Sequence, residues 1–228
     1  MQAFPVFCYL CKVMRLLLIL IAGVFRMVVL PVQFEDREPG STRTQQQELV
    51  GQAQAYFDRQ FDGSGQSFRF ELAPAVTLKH PTAWYGANNP DRKDIRIGDA
   101  VREACLQVQR EVDWAALDND SDGVVDLVVL LFAGTGENES GDEDDIYPHQ
   151  DRLSASGSTF AVGGRTVDRY AVAPEGRLGF FCHEFGHALG LPDLYDTDGA
   201  GSGGTARGLW GTSVMDEGCR EGHGSSWR

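Results

Sequence analysis

The run His183-Glu184-Phe185-Gly186-His187-Ala188-Leu189-Gly190-Leu191-Pro192-Asp193 specifies a helix, the turn that ends it and a set of side chains suited to one divalent cation. Four residues along an α-helix advance about 400° and roughly 6 Å, so His183 and His187 share a face one turn apart and can offer ring nitrogens to a single ion. Glu184 lies beside them, poorly placed to share that ion but able to reach a water next to it and take its proton. Gly190 permits a left-handed turn and Pro192 cannot continue a helix, so the chain swings away after His187 and carries Asp193 back toward the ion. Asp196 is the other acid at hand for that third position. Two imidazoles and one carboxylate leave a fourth position for water, the arrangement of a catalytic zinc and not of a closed structural one. A bare H-E-x-x-H also arises by chance on ordinary amphipathic helices. Gly190 and Asp193 at the offsets a third ligand requires, with a methionine-containing turn downstream, separate the two readings.

From Phe181 to Asp196 (FCHEFGHALGLPDLYD) the chain resembles the signature of the immune inhibitor A family of secreted bacterial metallopeptidases, metzincin-like with aspartate in place of the usual third histidine. Similar to that family, too, are Val28-Val29-Leu30-Pro31-Val32-Gln33-Phe34-Glu35-Asp36, the Tyr56-Phe57 helix, Asp118 to Gly136, Ile146-Tyr147-Pro148-His149, and Gly208 to Gly218 around Met215. The resemblance implies an α+β, zincin- or metzincin-like domain: a twisted mixed β-sheet with a backing helix and an active-site helix, then a short loop-rich C-terminal subdomain. It also makes Ser213-Val214-Met215-Asp216 the Met-turn, whose thioether packs beneath the metal site. The plainer reading of Met215 is an isolated core methionine, and a soft thioether is in either case a poor zinc ligand. Family members usually carry a propeptide ahead of the catalytic domain, and the first strand here starts close to the N-terminus. Few residues follow Gly218, so the resemblance leads us to expect a cleft whose lower wall is incomplete.

Length and composition fit one enzyme domain. A chain of 228 residues with 42% hydrophobic and 23% charged residues is long enough for one substantial core and too apolar for disorder. Its net charge of −13 argues against a nucleic-acid surface, which needs clustered Lys and Arg. Lys12 and Arg15 precede the apolar stretch Leu16 to Phe25, read as a signal peptide over residues 1–25, with the catalytic domain over 26–228 and a secreted or cell-envelope location. That stretch is about half the ~20 residues a membrane span needs; another buried strand is the alternative. Cys8 and Cys11 fall in the leader. Cys105, Cys182 and Cys219 fit either one disulfide with a thiol left over or three buried thiols. Cys182 abuts His183 but points about 100° away on a helix, so it reads as core.

A coarse pass places a buried strand over Met27 to Phe34, a helix over Thr42 to Phe61, and a half-buried strand at Phe68, Phe70 and Leu72. It then places a second helix over Ile97 to Val112 with Val101, Ala104, Cys105, Val108 and Val112 on its apolar stripe. Leu127 to Phe132 reads as a central strand covered on both faces, and Phe160 to Val167 as a hairpin around Gly163-Gly164. The metal-bearing helix runs from about Gly179 to Leu189. From Gly199 to Gly224 the chain is glycine-dense, to be fastened by Leu209, Trp210, Met215 and Trp227.

A second constellation is Asp118-Asn119-Asp120-Ser121-Asp122-Gly123-Val124-Val125-Asp126. Asp118, Asp120, Asp122 and Asp126, with the Val124 backbone, imitate part of an EF-hand loop and would present hard oxygens to calcium. The terminal glutamate of such a loop is missing, and an acidic turn capping a strand is the alternative. The acidic stretch Glu137 to Asp145 reads as a solvated loop near the cleft. His149 reads as a packed, hydrogen-bonded histidine, Tyr195 as a candidate oxyanion donor, and His80 and His223 have no partners at useful spacing. The function these residues point to is zinc-dependent endopeptidase, hydrolysing peptide bonds with water activated at zinc and Glu184 as general base. A non-catalytic, calcium-dependent adhesion module on the same fold and a zinc hydrolase of a non-peptide amide are the alternatives. Protein or peptide substrates are the implied partners; the sequence is silent on oligomeric state.

Overall fold

The structure is a computed structural model that describes residues 23–201, 208–209 and 211–220. Most of the expected leader, with Cys8 and Cys11, lies outside the described residues, as do Trp210, His223 and Trp227. In chain order the main elements are β1 (Val24–Gln33), α1 (Arg43–Gln60), β2 (Ser67–Leu72), β3 (Val76–Thr77), α2 (Ile97–Gln107), β4 (Val124–Val125) and β5 (Val128–Phe132). There follow β6 (His149–Arg152), β7 (Phe160–Val162), β8 (Arg165–Val167), β9 (Arg169–Pro174) and α3 (Leu178–Ala188).

The main sheet runs β2-β1-β5-β9-β6, with β3 also paired to β1. β6 alone is antiparallel, against β9, and lies at the sheet edge. A smaller sheet, β4-β8-β7, carries the hairpin at Gly163 and Gly164, both in the left-handed region. This is the mixed α+β sheet expected of the sequence.

Alternation along the strands divides the core in two. Val28, Leu30 and Val32 of β1, Val128, Leu130 and Phe132 of β5, and Tyr170 and Val172 of β9 point to the side covered by α2 through Ile97, Ala100, Val101, Ala104 and Cys105. Their neighbours Phe25, Met27, Val29, Val129, Leu131, Ala171 and Ala173 face the other way, under α1 and α3. Both sides of β5 are therefore dry, which is why its sequence is an unbroken apolar run.

α1 starts where the sequence says it should: Thr42 and Gln45 form a reciprocal capping box, side chain to backbone amide in both directions. α3 is buried on nearly every face. Phe185, fully buried, meets Phe57 at 4.6 Å and Phe70 at 4.9 Å between ring centres, with Phe25 and Phe68 close by. These edge-to-face contacts fix the rotation of α3 about its own axis and hence where its histidines point.

Three expectations are modified. The second helix ends at Gln107 and not at Val112, because the chain turns at Val108, where the Glu111 N–H donates to the Val108 carbonyl. Asp113 then caps a short 3₁₀ turn that drives Trp114 into the core. β6 and β9 were not anticipated at all. The first strand begins at Val24, ahead of the expected start at Met27, and Phe25 is buried in the aromatic cluster. Cys105, Cys182 and Cys219 are buried free thiols.

Candidate metal centre

α3 lies on β9 and α1 and ends in a Schellman turn. Gly190, at φ +88°, donates its N–H to the His187 carbonyl, and Leu191 donates to that of Gly186. The turn brings Asp193 back over the helix face that carries the two histidines. His183 Nε2 and His187 Nε2 are 3.0 Å apart, and Asp193 Oδ1 is 3.1 Å from the first and 3.2 Å from the second. Asp196, the alternative third acid, turns into its own loop and accepts the backbone N–H groups of Asp198 and Gly199.

The other nitrogen of each ring decides what the centre can do. His183 Nδ1 is 2.8 Å from the Val214 carbonyl oxygen and His187 Nδ1 is 2.9 Å from that of Leu191. A carbonyl only accepts, so both Nδ1 atoms carry the hydrogen and, in neutral rings, both Nε2 atoms present lone pairs. Burial holds the His183 imidazole below its ordinary value, which keeps it neutral. Asp193 Oδ1 is itself buried and without a hydrogen-bond partner. Three lone-pair atoms thus meet with no proton between them, a repulsive arrangement unless a cation fills it. Their separations are close to the ~3.3 Å edge of a tetrahedron built on metal–nitrogen bonds of ~2.0–2.1 Å. The donor set fits zinc: two imidazoles and a carboxylate, with each imidazole oriented by a backbone carbonyl.

Glu184 lies next to the pair, in the wall of a cavity of about 530 Å³ that also takes in Asp193, Tyr195 and the Tyr147-Pro148-His149 segment. Burial, with the Asp193 charge beside it, raises the Glu184 carboxyl well above the usual carboxylate range. The Tyr195 ring lies nearly parallel to His183 at 6.3 Å. Burial and the neighbouring Asp193 push its phenol up, so it stays a neutral O–H. His149 is a packed histidine, donating through Nδ1 to the Tyr147 carbonyl (2.7 Å) and accepting at Nε2 from the Tyr170 hydroxyl (3.1 Å).

Beneath the centre, Met215 is buried against α3 at Gly186: a Cβ on that glycine would stand 2.4 Å from the Met215 sulfur. Its neighbour Val214 supplies the carbonyl that orients His183. Burial works against a charge on Asp216, but backbone amides of Gly211, Glu217 and Leu209 outweigh it and hold the carboxyl low. Asp216 thereby ties Leu209 and Gly211 to the Met-containing turn. The carbonyls of Val214 and Leu191 were invisible to sequence reading, since a backbone atom carries no residue signature.

At the acidic turn, Asp118, Asp120 and Asp122 bring carboxylate oxygens within 4.8 Å of one another. Asp126 is engaged elsewhere, accepting from the N–H (2.6 Å) and Nδ2 (2.9 Å) of Asn119. Val124 is in β4, and Asp118 pairs with Arg165 at 2.7 Å.

The family model described as "Immune inhibitor A peptidase M6, catalytic domain" matches residues 34–227. The chain belongs to this family. Among curated relatives, "Pre-pro-metalloprotease PrtV" of Vibrio cholerae serotype O1 is 29% identical over 170 residues, covering 62% of this chain and 18% of the relative. "Immune inhibitor A" of Bacillus thuringiensis subsp. alesti is 34% identical over 110 residues, covering 42% of this chain and 16% of the relative. The chain therefore spans less than a fifth of the length of these relatives. By family it is a peptidase catalytic domain, and the candidate metal centre falls within the matched region.

Proposed function

We propose that the chain is a secreted, zinc-dependent endopeptidase in which His183, His187 and Asp193 hold the metal and Glu184 is the general base. One observation carries the reading: three buried or half-buried lone-pair atoms face one another at 3.0 to 3.2 Å while both Nδ1 hydrogens are committed to carbonyls. Zinc there would supply Lewis acidity, lowering the pKa of water toward neutrality and polarising a carbonyl.

The rest is the work of this chain's side chains. Glu184, its carboxyl raised by burial and by the charge of Asp193, takes the proton of the attacking water and delivers it to the departing amine nitrogen. Val214 and Leu191 hold the two rings so that no rotation is needed on binding. Tyr195 stands at the cleft as a neutral donor for the oxygen on which negative charge develops. A binding module without catalysis has no use for a carboxyl in the position of Glu184, which favours the enzyme over an adhesion domain.

Calcium is the cation proposed for the acidic turn, through Asp118, Asp120 and Asp122. With Asp126 engaged by Asn119, this is a smaller oxygen set than a full EF-hand loop offers. Export rests on the leader-like N-terminal sequence; no described helix is long and apolar enough to cross a membrane.

The test is cleavage of an unfolded protein by the purified chain, alone, with a chelator, and with zinc restored. Cleavage that a chelator abolishes and zinc returns is the expected result. Cleavage indifferent to chelator contradicts the metal mechanism, and zinc binding without peptide cleavage favours hydrolysis of a different amide.

A further inference from the structure

The end of α3 is held by a residue that the catalytic reading leaves unused. Arg169, the first residue of β9, shares its face with Ala171 and Ala173, the face on which α3 packs. α3 follows β9 in the chain and its last turn comes to lie over Arg169, whose Nη2 donates to the Ala188 carbonyl at 2.6 Å. The final carbonyls of a helix have no partner within it. Here those of Gly186 and His187 take the Leu191 and Gly190 amides, and Arg169 answers the next one. A guanidinium at this end also meets the negative pole of the helix.

The Arg169 Nε is buried without a hydrogen-bond partner among the described residues. Asp126 lies near enough for each charge to favour the other, and Asp126 accepts from both the N–H and the Nδ2 of Asn119. Asn119 in turn clasps the backbone of Arg26 in β1, accepting from its N–H at 2.7 Å and donating to its carbonyl at 3.0 Å. The donor at Ala188 thus lies near a carboxylate that Asn119 ties to the backbone of β1.

We infer that Arg169 is the positioning residue for the half of the metal centre that the last turn of α3 supplies, His187 and Asp193. The inference rests on the zinc reading above. His187 immediately precedes Ala188, the Leu191 carbonyl that orients its ring follows the Schellman turn, and Asp193 comes two residues later. All three take their places from where and how the helix ends. His183, a turn earlier and oriented by Val214, does not depend on it.

A cap that serves stability alone would change the melting temperature and leave the zinc affinity of the folded chain unchanged. The experiment compares wild type, Arg169→Lys and Arg169→Met for zinc affinity, by competition with a chromophoric chelator, and for amide exchange at Gly190 and Leu191 in the metal-free protein. Arg169→Met should weaken zinc by about tenfold, the scale of losing a group that supports a metal ligand, and should speed exchange at both amides. Arg169→Lys, which keeps charge and a donor, should recover most of each. A folded Arg169→Met chain with wild-type zinc affinity overturns the assignment. If Arg169→Met does not fold, Arg169→Gln takes its place: weaker zinc binding at an unchanged far-UV spectrum supports the assignment, and wild-type affinity overturns it. A wild-type chain that binds no zinc contradicts the zinc reading instead. The exchange data then decide whether Arg169 sets the turn: faster exchange supports it, unchanged exchange refutes it.

Discussion

Gly186→Ala tests the link between the metal helix and the turn beneath it. The new methyl would stand 2.4 Å from the Met215 sulfur and 3.3 Å from its terminal carbon, where ordinary contact begins at 3.4 Å, so a gap of about 1 Å must open. Met215 is 2% exposed and has little free space to enter, so the strain passes to the Met-containing turn and to Val214. Overpacking of this kind costs ~1–3 kcal/mol, and replacing glycine by alanine inside a helix returns ~0.5–1 kcal/mol. A net loss of ~0–2.5 kcal/mol is therefore expected in the wild-type background. In a Met215→Ala background the clash is gone and the same change should stabilise by ~0.5–1 kcal/mol. Urea unfolding of the four metal-free proteins measures both numbers and their coupling. Because Val214 orients His183, Gly186→Ala should also weaken zinc binding. Additive effects, with Gly186→Ala stabilising both backgrounds equally, would show that Met215 does not support the helix in the way described.

Glu184→Gln should retain zinc and lose nearly all peptide cleavage, whereas His187→Ala should lose both; metal analysis beside a cleavage assay distinguishes them, and full activity in Glu184→Gln removes the base from the mechanism. Burial raises the Asp94 carboxyl to about 7, so the folded chain keeps a proton that the unfolded chain has released, and stability falls as pH climbs from the ordinary carboxylate range through that value. Asn at this position is neutral and tolerates the φ of +49°, so Asp94→Asn should raise the urea midpoint more at pH 8 than at pH 5; equal gains at the two would contradict the assignment. Calcium should raise the melting temperature of wild type and not of Asp120→Asn/Asp122→Asn, and a shift that survives this double change places the ion elsewhere.

The parts legible in the sequence are those fixed by local spacing. Two histidines a turn apart, a glycine for the Schellman turn and an acid just beyond it lie within eleven consecutive residues, so helix and turn geometry alone bring them together. The apolar spacing from Thr42 to Phe61 marked α1, and Gly163-Gly164 marked the hairpin, for the same reason. β6 was hidden because His149-Gln150-Asp151-Arg152 has no apolar residue: it is a strand only through its pairing with β9. β9 was hidden because Arg169 to Pro174 is short, begins with a charge and ends in proline, although its middle is buried on both faces. The second helix was read too long because Val108 and Val112 continue its apolar stripe, while the burial of Trp114 and the Asp113 cap turn the chain sooner. At the acidic turn, spacing gave the three clustered carboxylates but could not show that Asp126 answers Asn119. Arg169 had no local signal, since its partner is nineteen positions away.

X-ray absorption at the zinc edge of the reconstituted chain addresses the coordination itself. The account predicts two imidazole nitrogens with oxygen completing the shell, and loss of the signal in Asp193→Ala. A sulfur scatterer, from Cys182 or Cys219, or zinc retained unchanged in Asp193→Ala, would contradict it.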